Sequence, residues 1–76
     1  MDPNATWSLL SHLLDREMSG DEAVDAIGLC EGLIGWLEMD GFMPAEISLV
    51  MGRRAFLRML RATLEWLHCT ADVLGV

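Results

Sequence analysis

Glu65-x-x-His68 is the one tetrapeptide in this 76-residue chain whose residue types and spacing match a known metal chemistry. Di-iron carboxylate bundles take a Glu-x-x-His from each of two helices and a further Glu from each of two others. Two copies of the chain supply two such tetrapeptides, with Glu31 or Glu38 as the extra carboxylates. The surroundings oppose it. Glu65 and His68 share a helix stripe with Arg54, Arg58 and Arg61, whose positive charge repels a cation. Neither a Cys-x-x-Cys, a His-rich tract nor a phosphate-cradling glycine loop strengthens the signal. We expect neither metal nor cofactor.

Nucleophilic chemistry fares no better. Cys69 adjoins His68, and consecutive helical side chains point ~100° apart, so the two do not form a nucleophile–base pair. Asp15, Glu17, Asp21 and Glu22 gather around a helix break, where acids serve as solvated caps. A chain this short also encloses little pocket volume. The sequence predicts a protein that is not an enzyme.

Three helical segments must position whatever surface remains. Asp2-Pro3 is an N-cap followed by proline at the first helical position, and Trp7, Leu10, Leu14 and Met18 then recur on one face. Ser19-Gly20-Asp21-Glu22 stops that helix and opens the next with a capping box. The second helix is predicted to run to about Met39, with Asp40-Gly41 ending it and the glycine in a left-handed cap. Pro44-Ala45-Glu46 starts a third segment that continues almost to Leu74, with Gly52 as a kink in one long helix. Period-2 alternation is absent. The expectation is an all-α, single-domain, antiparallel three-helix bundle over 1–76.

Composition sets the context. Hydrophobic residues make up 53% of the chain while its net charge is −7, too apolar for a disordered acidic tail. Ten acids and one arginine fall in residues 1–50, against four arginines and two acids afterwards. The longest stretch free of charge is Pro3–Leu14, twelve residues, where a membrane-spanning helix needs ~20. The amino terminus lacks the basic segment of a signal peptide. Asn4-Ala5-Thr6 therefore reads as a chance sequon, and Cys30 and Cys69 as reduced core thiols in the cytoplasm.

The last helix carries the strongest pattern. Arg54, Arg58, Arg61, Glu65, His68 and Asp72 fall within ~80° of arc, leaving an apolar arc near ~280°. Leu57, Leu60, Leu64, Leu67, Ala71 and Leu74 form one flank, the expected intrachain core. Met59, Ala62, Trp66, Cys69 and Val73 form another, which two further helices are too few to cover. That flank is predicted to be the interface of a homo-oligomer, most simply a dimer. The arginine stripe is expected to pair with the protein's own carboxylates and to be the face offered to an anionic ligand. Gly28, Gly32 and Gly35 are expected to permit a close helix approach.

The function these features imply is a protein-interaction module: an adaptor, regulator or assembly component acting as a small acidic oligomer with an unidentified protein partner. A nucleic-acid-linked regulator, by arginine-face binding or acidic mimicry of DNA, is the second reading. The net charge of −7 and the absence of Gln and of any helical Asn in the last segment disfavour it.

Overall fold

Asp2 opens the first helix, α1 (Pro3–Leu14), its carboxylate accepting from the N–H groups of Asn4 and Ala5 at 3.0 and 3.3 Å. The capping box also forms as read. Ser19 Oγ accepts from Glu22 N–H at 3.3 Å, and Glu22 returns a carboxylate to Ser19 N–H at 3.1 Å. That backbone bond, with the nearby Arg16 charge, holds the Glu22 carboxyl below its ordinary pKa. The computed structural model describes residues 1–75, whose regular structure is all helix with no strand among them. After α1 come α2 (Gly20–Glu38), the short α3 (Ala45–Ser48) and α4 (Arg53–Leu74).

Three boundaries differ from the sequence reading. The first helix ends at Leu14, not Met18. Arg16 instead turns back to pair with Glu22, and Met18 packs on the core from outside any helix. The third segment is two helices. Gly52 is extended (φ −85°, ψ 172°) and serves as the N-cap of α4, so the expected continuity through Gly52 is wrong. The break frees Arg53 to donate from Nη1 to Leu37 O at 3.0 Å and Gly41 O at 2.7 Å, closing the carbonyl end of α2 with a cation. Finally, the left-handed residue after α2 is Asp40 (φ 62°) and not Gly41.

Gly41 is needed for a different reason. A Cβ built there falls on top of the Trp36 indole, well inside contact distance. The indole is fixed by Nε1 donating to Phe42 O at 3.0 Å and by an edge-on Phe42 ring 5.6 Å away. Asn4, read as a chance sequon, reaches across the molecule to accept from Ala45 N–H at 2.8 Å and so caps α3.

α2 packs against both α1 and α4. The core takes Leu10 from α1, Ala26, Cys30, Leu33 and Leu37 from α2, Ile47 from α3, and Phe56, Leu60 and Leu67 from α4. Trp7 meets Phe56 edge-on at 5.3 Å. No charged or polar residue is buried among the described residues. The glycines of α2 do not mark a close approach within the chain. A Cβ at Gly28 or Gly35 meets nothing, and one at Gly32 meets only the flexible end of Met1. Gly28 and Gly35 therefore each weaken the helix by roughly 1 kcal/mol relative to alanine, with no packing within the chain in return.

Candidate interaction surface

α4 has 22 residues, and at ~1.5 Å per residue its length is about that of the whole molecule, whose longest extent is 34 Å. Whatever face it leaves open therefore runs from end to end. The buried residues Phe56, Leu60, Leu67 and Ala71 lie on one narrow arc of this helix. Leu57 and Leu64 are half-buried beside them, and Leu74 is exposed at the end. The leucine flank is thus the intrachain core, as read, with Phe56 added to it.

The opposite flank is open. Trp66 is 52% exposed and Val73 86%. Ala62 and Cys69 are exposed and Met59 is half-buried. Besides an open groove of about 720 Å³ shared with residues 14–18, Thr70 and Leu74, Trp66 borders two smaller ones. Leu14, Met59, Ala62 and Thr63 line one of about 360 Å³, and Cys69, Thr70, Val73 and Leu74 line the other, about 320 Å³. Trp66 walls both. Cys69 is accordingly a surface thiol, a correction to its assignment to the core. Cys30 is a core thiol, its Sγ donating to Leu60 O at 3.2 Å. Burial, reinforced by the Glu31 carboxylate, pushes its pKa up to about 11.

Arg54, Arg58 and Arg61 are exposed on the neighbouring stripe. Arg61 pairs with Glu38 at 2.8 Å. Among the described residues Arg54 and Arg58 have no carboxylate within ion-pair distance, so self-pairing extends to one of the three. Together with Arg53 and Leu57 they line an open groove of about 680 Å³. Glu65 and His68 have no third ligand beside them, since no group of three His, Cys, Asp or Glu side chains converges among the described residues.

A second apolar groove, about 590 Å³, lies between α1 and α2 and is bordered by Leu9, Leu13, Val24 and Leu29. Single-helix patterning misses it, because Leu9 and Val24 become neighbours only once two helices are docked. No described helix is long and apolar enough to cross a membrane. Comparisons with protein-family models, with curated proteins and with solved structures find no match to this chain.

Proposed function

We propose that the protein is a non-catalytic interaction module, an adaptor, regulator or assembly component, that works as a homo-oligomeric helical bundle in the cytoplasm. The observation that carries this reading is the open flank of α4, with a half-exposed tryptophan at its centre. A contiguous apolar strip of this kind on a small protein marks a contact site, and Trp is among the residues most enriched in interface hot spots. The arginine groove supports a second reading, an anionic partner held by Arg54 and Arg58, whose charges are not neutralised among the described residues.

The test is mass and thiol reactivity on the same samples. At about 10 µM, a dimer with the sub-micromolar Kd typical of a specific interface gives twice the chain mass by light scattering. Cys69 should react readily with a small disulfide reagent in dilute protein and more slowly as concentration rises and the flank is covered. Cys30 should stay unreactive until the protein unfolds, because it is buried and its thiolate is disfavoured at neutral pH. Chain mass at every concentration, with Cys69 reactivity unchanged, would overturn the proposal.

A further inference from the structure

Along the open face of α4, Ala55, Met59, Ala62, Trp66, Cys69 and Val73 are spaced four, three, four, three and four apart. That is the a/d repeat of a coiled-coil seam, in which another helix seats its knobs. The residues alternate in size, with Met59, Trp66 and Val73 at a, and Ala55, Ala62 and Cys69 at d. Resting on the self-association proposed above, we infer that the occupant is a second copy of α4, running antiparallel about a two-fold axis.

Size selects the direction. An antiparallel pair sets each a position against a d position of its mate. One register makes every layer large against small: Ala62 with Trp66, Met59 with Cys69, and Ala55 with Val73. All three follow from a single axis position, since each pair is symmetric about residue 64. A parallel pair instead stacks Trp66 on Trp66 and Ala62 on Ala62, alternating crowded layers with empty ones.

Charge selects the same direction. Arg58, Glu65 and Asp72 recur every seven residues on one rim of the seam, and all three are exposed. Reversing one helix brings this rim alongside its own copy. Arg58 then lies within about one turn of the mate's Asp72, twice per dimer, while Glu65 faces Glu65 across the axis. In a parallel pair the rim faces the other edge, Phe56, Thr63 and Thr70, which carries no charge.

The experiment uses disulfide trapping in the whole chain. Met59→Cys places a thiol opposite the mate's Cys69, and mild oxidation should give a covalent dimer that is lost when Cys69→Ser is added. The wild type should cross-link slowly, because its two Cys69 thiols sit ~15 Å apart along the axis. In parallel, Arg58→Asp and Asp72→Arg should each weaken the dimer about tenfold, and the double reversal should restore it. Glu65→Gln should tighten it. Fast cross-linking of the wild type indicates a parallel pair and overturns the inference. So does a mass of two chains without trapping through Met59→Cys, which places the interface on another face. A wild type that stays monomeric refutes the self-association reading itself.

Discussion

Gly41→Ala is expected to destabilise the protein by about 2–3 kcal/mol, as insertion of a methyl group into a fixed site does. In a chain of this size that lowers the midpoint of thermal unfolding by roughly 10–20 °C. The new Cβ lands on the Trp36 ring, and neither side can withdraw cheaply. The indole is tied to Phe42 O at 3.0 Å. The Gly41 backbone is held by its own N–H to Trp36 O at 2.9 Å and by Arg53 on its carbonyl at 2.7 Å. Moving the ring gives up a hydrogen bond, and moving the backbone releases the cation that closes α2. Gly28→Ala and Gly35→Ala are the controls, since a methyl there meets nothing. Each should instead add about 1 kcal/mol through helix propensity. Circular dichroism melts decide it. A Gly41→Ala variant that unfolds with the wild type would mean the Trp36 ring moves freely.

The two glycine classes also mark where sequence reasoning stops. A left-handed cap is the local reading of Gly41, because it follows a helix. Its role is set by a ring five residues earlier that Phe42 fixes, while Arg53 holds the Gly41 carbonyl. The same distinction runs through the fold. Asp2 and Ser19 were legible as caps because their acceptors serve N–H groups two or three residues on. Arg53 caps carbonyls 12 and 16 residues back, and Asn4 caps an N–H 41 residues ahead, so neither leaves a local signature. Gly52 opens α4 as its N-cap beside Arg53, which propensity alone does not report. The α4 flank was legible because one straight helix defines it. The same helix carries the a/d spacing that adds Ala55 and the rim of Arg58, Glu65 and Asp72. The α1/α2 groove needs two docked helices and was not legible.

Trp66→Glu is expected to leave the chain folded and to abolish its self-association. The side chain is 52% exposed, and the neighbouring core residues Phe56, Leu60 and Leu67 lie on the other side of α4. Stability in the monomer should therefore change by less than about 1 kcal/mol, as for most surface substitutions. Association is another matter. Loss of a central tryptophan anchor typically costs about 2–4 kcal/mol, which is roughly 30- to 1,000-fold in Kd. The variant also sets a carboxylate into an apolar seam where it meets Ala62 of the mate and finds no partner. Leu67→Glu is the contrast, one residue along but wholly buried, and it should unfold the chain instead of dissociating it. Light scattering and circular dichroism on the two variants separate these outcomes. If Trp66→Glu binds its copy as tightly as the wild type does, the interface lies elsewhere. The α1/α2 groove, with Leu9 60% and Val24 50% exposed, is then the surface to which the same substitution strategy applies.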